Sequence, residues 1–136
     1  MIVSFPALVN MQSVKKILAL GLAVATNIAL AQTMPLPQPS PGLMPNPAQG
    51  KRLFERHCAS CHGLDLRGSD KGPPFLHPVY EPSHHGDASF QAAVRHGSRA
   101  HHWKFGDMPP LPKVSADDVA HITAYVRQQQ RLVGIR

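Results

Sequence analysis

The chain has 136 residues, with 14 Lys and Arg against 8 Asp and Glu. Lys15 and Lys16 belong to the leader, so from Gln32 onward twelve minus eight leaves four positive charges. So modest an excess speaks against a nucleic-acid binder, and five Phe, one of them near the N-terminus, are few for a small domain relying on apolar side chains alone. Ile17 to Ala31 is almost wholly apolar, follows Lys15-Lys16 and ends Ala29-Leu30-Ala31 before Gln32. That pattern predicts a secretory signal peptide over residues 1–31, cleaved after Ala31, and a periplasmic location. At fifteen residues the apolar run is short for a membrane span, which needs about 20. The uncharged residues 1–10, with Pro6 among them, point to Met11 rather than Met1 as the start.

Residues 32–46 carry Pro35, Pro37, Pro39, Pro41 and Pro45 and are expected as a semi-rigid linker. Met34 and Met44 read as solvent-facing residues of that linker. The folded domain is expected over residues 47–136. Asn46-Pro47 has the chemistry of an N-cap followed by the first helical position, predicting a helix from Pro47 to His57. Gly50, Leu53 and Phe54 share one face of it.

The helix runs into Cys58-Ala59-Ser60-Cys61-His62, the C-x-x-C-H pattern of covalent haem attachment. Two thiols three positions apart lie on one helical turn, within reach of the two vinyl groups of one haem. His62 then follows as the proximal iron ligand. A redox dithiol would need a strand–helix–strand setting, which the pattern here lacks. A structural zinc site would need two histidines to join the cysteines, and a plain disulfide leaves His62 without a role. An exported chain would risk disulfide formation at free cysteines. A buried haem would also supply the apolar mass the domain lacks.

Downstream, a middle helix is predicted from Ala88 to His96, capped by Asp87 and stopped by Gly97, with Phe90 and Val94 on one face. His84-His85 and His101-His102 flank that helix. The two pairs could converge on copper or zinc, titrate near neutral pH, or stand as solvated loop residues and propionate partners. Trp103, the only tryptophan, could give its indole N–H to a haem propionate or simply fill core. Ser115-Ala116-Asp117-Asp118 opens a last helix, Ser115 being the cap and the acids its first turn. Val119, Ile122, Tyr125 and Val126 recur there at helical spacing. No alternating strand pattern stands out, so the fold class is all-α.

The C-x-x-C-H motif, the helices at both ends, and Phe105-Gly106-Asp107-Met108-Pro109-Pro110 before the last helix resemble a small class I c-type cytochrome. The resemblance implies one haem c held through Cys58 and Cys61, with His62 and Met108 as axial iron ligands. It places Gly50, Phe54 and Tyr125 at a crossing of the first and last helices. Gly72-Pro73-Pro74-Phe75-Leu76 resembles the family's proximal proline loop, where a backbone carbonyl accepts a hydrogen bond from His62 Nδ1; Pro74, Phe75 and Leu76 are expected beside the haem. With both axial positions filled, the expected function is single-electron transfer between redox proteins, some of them membrane-bound, by a monomer that is not an enzyme. Lys51, Lys71, Arg99, Lys104 and Lys113 are candidates for steering an acidic partner. A loose Met108 would leave a gas-binding or peroxide-active site instead, with His101 or His102 as acid–base. Primary work at His84, His85, His101 and His102 would make a copper-handling redox protein.

Overall fold

The computed structural model describes residues 35–136. The expected signal peptide, its cleavage site, the choice of start codon and Met34 lie outside the described residues. Among those described, the chain is helical and has no strand, as expected from the sequence.

Helix α1 spans Pro47–His57. The Asn46 side chain accepts from the amides of Ala48 and Gln49, at 2.9 and 3.2 Å, which satisfies two of the four unpaired donors of the first turn. A single turn, α2 (Ala59–His62), follows directly. Helix α3 spans Asp87–His96 and α4 spans Ala116–Leu132. In α4 Ser115 and Asp118 form a reciprocal capping box, with Ser115 Oγ accepting from the Asp118 amide at 3.1 Å. A short 3-10 turn, Pro78–Tyr80, interrupts the long loop before α3.

The architecture turns on the crossing of α1 and α4. Gly50 is buried there, and a Cβ built on it would lie 1.9 Å from the His121 carbonyl oxygen and 2.9 Å from Tyr125 Cβ. Only a residue without a side chain permits that approach. Phe54 lies fully buried one turn on, its ring centroid 5.7 Å from Tyr125 and 6.1 Å from Phe75. Val119, Ile122 and Val126 complete the buried stripe of α4, and Leu66 and Phe90 close the core from the loop and from α3.

Two polar side chains on the same helix staple the long loop to the core. Arg127 and Gln130 are nearly inaccessible, at 7 % and 1 % exposure, so their polar atoms must find partners within the protein. Arg127 donates to Asp87 Oδ1 at 2.9 Å, to the Tyr80 carbonyl at 2.8 Å, to Gln130 Oε1 at 2.7 Å and to the His85 carbonyl. Gln130 donates to the carbonyls of Phe75 and Tyr80 at 2.9 and 3.0 Å. Asp87 is therefore not the cap of α3, as its position suggested. Gly86 caps that helix, and Asp87 is its first residue, drawn toward the buried guanidinium.

The compact unit begins at Leu36, inside the proline-rich segment expected as a spacer. Ser40 donates its amide and its hydroxyl to the Asp117 carboxylate at 2.7 and 2.8 Å, and the Asn46 amide donates to His121 Nδ1 at 2.8 Å. The Ser40 hydrogen bonds hold the Asp117 carboxyl below the usual carboxylate range. A depressed folded pKa means the contact stabilises above the unfolded value of about 3.9 and is lost as pH falls through the folded one. Protection of the Ser40 amide against hydrogen exchange should thus persist at neutral pH and collapse in acid. In D117A it should be absent at every pH; equal protection in D117A would mean that the prolines alone hold the segment.

Candidate functional site

Cys58 ends α1, where its amide donates to the Phe54 carbonyl at 2.8 Å, and Cys61 sits in the turn that follows. Both thiols are free and half-buried. Burial first, and then the neighbouring Cys61, push the Cys58 thiol up to about 11, so it stays protonated at neutral pH.

His62 is buried, and its Nδ1 lies 2.9 Å from the Pro73 carbonyl. A carbonyl can only accept, so Nδ1 carries the proton and Nε2 keeps its lone pair for a metal. Burial lowers the His62 pKa, and the Pro73 bond opposes this without reversing it, so the ring is neutral and able to ligate. The loop that presents Pro73 folds tightly. Gly68 N–H donates to the His62 carbonyl at 2.8 Å, and the Leu66 carbonyl accepts from Phe75 and Leu76 at 2.8 and 3.1 Å. Leu66 holds a left-handed φ of 63°, uncommon for a bulky residue, and its side chain is 2 % exposed in the core.

A cavity of about 400 Å³ opens beside these groups, within the range of roughly 300–1,000 Å³ typical of cofactor sites. Cys58, His62 and Trp103 line it, and Met108 lines it too. Pro73 and Phe75 form part of its wall, whereas Pro74 and Leu76, the expected wall residues, do not. The chain bends here, with the amides of Phe75 and Leu76 both donating to the one Leu66 carbonyl, and that bend sets which side chains face the cavity. Leu76 packs against the hydrophobic core instead. The Phe75 ring stacks on His62 with centroids 4.3 Å apart.

Met108 is positioned through its backbone. It exchanges two hydrogen bonds with Ser98, at 2.8 and 3.0 Å. The close approach requires glycine at position 97, where φ is 77° and a Cβ would lie 2.6 Å from the Met108 carbonyl oxygen. Asp107 Oδ1 accepts from the Ala100 amide at 2.9 Å, and the Leu111 amide donates to Val94 at 2.8 Å, so the loop is tied on both sides of the methionine.

The Trp103 indole N–H is buried and has no hydrogen-bond partner. It lies close enough to the Tyr80 hydroxyl to influence it, without a hydrogen bond closing between them. An orphaned buried donor on the cavity wall suits an anionic group of a bound cofactor. The donor set fits haem c: two free thiols, a neutral buried imidazole, a thioether, an apolar cavity and an unsatisfied N–H.

The histidine pairs on either side of α3 do meet. His84 Nε2 lies 3.1 Å from His102 Nε2, and His85 Nε2 lies 3.4 Å from His101 Nε2. Burial lowers the pKa of His85 against the opposing Val79 hydrogen bond, with smaller help from His84, His101 and Arg127, and burial followed by the other histidines lowers that of His102. Among the basic residues, Arg99 lines the cavity, and Lys104 is exposed and stands in sequence between the cavity residues Trp103 and Phe105. Lys51 does not line that cavity. It pairs with Glu55 along α1 and borders a different hollow with Asn46 and Tyr125, so it is a poor guide for a partner approaching the cavity. Lys71 and Lys113 are exposed.

Arg127 and Gln130 were hidden from the sequence reading by their polarity. Their spacing, four residues after the buried Thr123 and Val126, continues the inward face of α4. Tyr80 also lines the cavity, a position that its local sequence does not signal.

Comparison with known proteins agrees with this donor set. The cytochrome c family matches residues 47–130, which include both cysteines, His62 and Met108. No curated protein matches the chain. Among solved structures, the crystal structure of cytochrome CL from the marine methylotrophic bacterium Methylophaga aminisulfidivorans MPT is similar, at 26% identity and a TM-score of 0.46. The match covers 60% of this chain and 53% of that one, so this chain spans about half the length of its structural relative. The family match over most of the chain, with the C-x-x-C-H turn inside it, makes this protein a member of the cytochrome c family, a c-type cytochrome carrying covalently attached haem c.

Proposed function

We propose that this cytochrome is an exported monohaem carrier that passes single electrons between redox proteins through an iron held by His62 and Met108. The observation that supports the reading is the tethering of Met108, by backbone bonds to Ser98 beside Gly97, on the wall of the cavity that also receives His62. Haem supplies the one-electron ferric–ferrous couple.

The chain's own residues do the rest. Cys58 and Cys61 hold the group covalently, so it is not lost in transit. Pro73 orients the proximal imidazole and strengthens it as a donor. The Met108 thioether is a soft ligand that favours the ferrous state. Phe75, Phe90 and Val94 give the cavity an apolar wall, which limits reorganisation when the charge changes. Arg99 on the cavity wall and Lys104, exposed between two wall residues in sequence, supply positive charge suited to steering an acidic partner. The apolar segment before Gln32 supports export to the periplasm, where redox partners, some membrane-bound, would be met.

Carbon monoxide tests the reading directly. The ferrous, haem-loaded protein should show no spectral change on its addition, and a potentiometric titration should follow a one-electron curve. Rapid and complete carbon monoxide binding would replace the carrier with a gas-binding or peroxide-active protein.

A further inference from the structure

We propose that His84, His85 and His102 form a binding site for a borderline divalent cation, copper(II) or zinc(II), at the edge of the haem cavity. The proposal is independent of how the iron is ligated. It rests on the convergence of imidazoles from two loops that are far apart in sequence.

One ring nitrogen from each of these three residues lies within 4.8 Å of the other two. His101 adds a fourth imidazole, 3.4 Å from His85. Two nitrogens bound to one tetrahedral zinc at about 2.0–2.1 Å are separated by about 3.3–3.4 Å. The observed separations of 3.1 Å for His84–His102 and 3.4 Å for His85–His101 are already close to that spacing.

The protonation pattern also favours a bound cation. His85 Nδ1 lies 2.7 Å from the Val79 carbonyl, and His101 Nδ1 lies 2.7 Å from the Arg99 carbonyl. Each carbonyl requires a proton on its Nδ1, so in the neutral rings both Nε2 atoms are bare lone pairs. Those lone pairs face each other. A positive charge between them resolves the conflict, and a metal does so while leaving both Nδ1–H bonds intact. A backbone carbonyl bonded to the far nitrogen is the usual support of a ligating histidine.

The scaffold is rigid on both sides. The amides of His84 and His85 donate to the Glu81 carbonyl at 3.1 and 2.8 Å, and Arg127 holds the His85 carbonyl. On the other side, the Ala100–Asp107 bond and the Ser98–Met108 pair close the loop carrying His101 and His102. His84 and His102 are exposed, so their side chains can close on an ion without backbone movement. An all-imidazole donor set selects copper, zinc or nickel over the hard cations magnesium and calcium.

The test uses the mature, haem-loaded protein, because haem could instead recruit these histidines through its propionates. Zinc chloride and, separately, copper sulfate are titrated by calorimetry, and bound metal is measured after gel filtration. One equivalent of at least one of the two metals should bind. The H84A/H102A variant should bind it at least about tenfold more weakly. Neither side chain hydrogen-bonds to anything but the other, so the variant's helical content and metal-free thermal midpoint should stay close to the parent's. Absence of uptake by the parent would overturn the proposal. So would equal uptake by the variant, which would place the metal on other surface histidines.

Discussion

Replacing Met108 with alanine should open the iron: carbon monoxide should bind the ferrous M108A protein rapidly and to one equivalent, where the parent should bind none. The reduction potential should fall by on the order of 0.1 V, a fraction of the roughly 0.8 V that axial ligands control. The direction follows from the soft thioether, whose loss removes stabilisation of the ferrous state. The fold should survive, since Met108 is tied in place by its backbone amide and carbonyl, which alanine keeps. A histidine at 108 should restore closure to carbon monoxide without restoring the potential. If M108A is as closed and as oxidising as the parent, another residue occupies the distal position, and the carrier reading loses its axial ligand.

Gly50→Ala should be the most damaging single-methyl change in the domain. Alanine is the better helix former by about 1 kcal/mol, so propensity alone predicts stabilisation. Sterics oppose it, because the new methyl would sit 1.9 Å from the His121 carbonyl oxygen and 2.5 Å from its carbon. Both are backbone atoms of α4 and cannot rotate away, so the helices must separate and loosen Phe54 against Tyr125 and Val126. Overpacking of this kind costs about 1–3 kcal/mol and sometimes more. A net loss of at least about 2 kcal/mol, read from denaturant midpoints of the haem-loaded proteins, is expected. It would be a large part of the roughly 5–15 kcal/mol that holds a domain together. A G50A protein as stable as the parent would mean that the helices do not cross this closely.

The histidine cluster and the haem loop share a wall. The turn holding His84 and His85 and the loop holding His101 and His102 both border the cavity, and the second continues to Met108. A cation bridging them would therefore tie the methionine loop to the turn before α3. That gives the proposed metal site a structural consequence as well as an affinity.

Much of this protein was legible from local chemistry. Haem attachment reads directly from Cys58, Cys61 and His62, because thioether formation and iron ligation demand those residue types at that spacing. Helix starts at Asn46 and Ser115 were equally plain, since a cap needs only a side-chain acceptor within three residues of the amide it serves. Asp87 misled for the same reason. It has the composition of a cap, but its partner, Arg127, lies 40 residues away, and a buried guanidinium outweighs a local amide. The carbonyl that accepts from His62 was narrowed to one loop but not to Pro73, because the course of that bent loop depends on its hydrogen bonds to the distant Leu66 carbonyl.

The amino-acid sequence by itself determined the cofactor, its covalent attachment, the helical class and the helix caps at Asn46 and Ser115. These depend on residues close together along the chain. Tertiary structure alone decided what distant residues do together: that Ser40 fastens the proline-rich segment to α4, that Arg127 and Gln130 staple the long loop, that Lys51 stands away from the haem cavity, and that four histidines from two loops converge. The physical reason is that ligation and capping act over one or two turns of backbone. Convergence is set by how the helices cross at Gly50 and by where the loops between them are tied down.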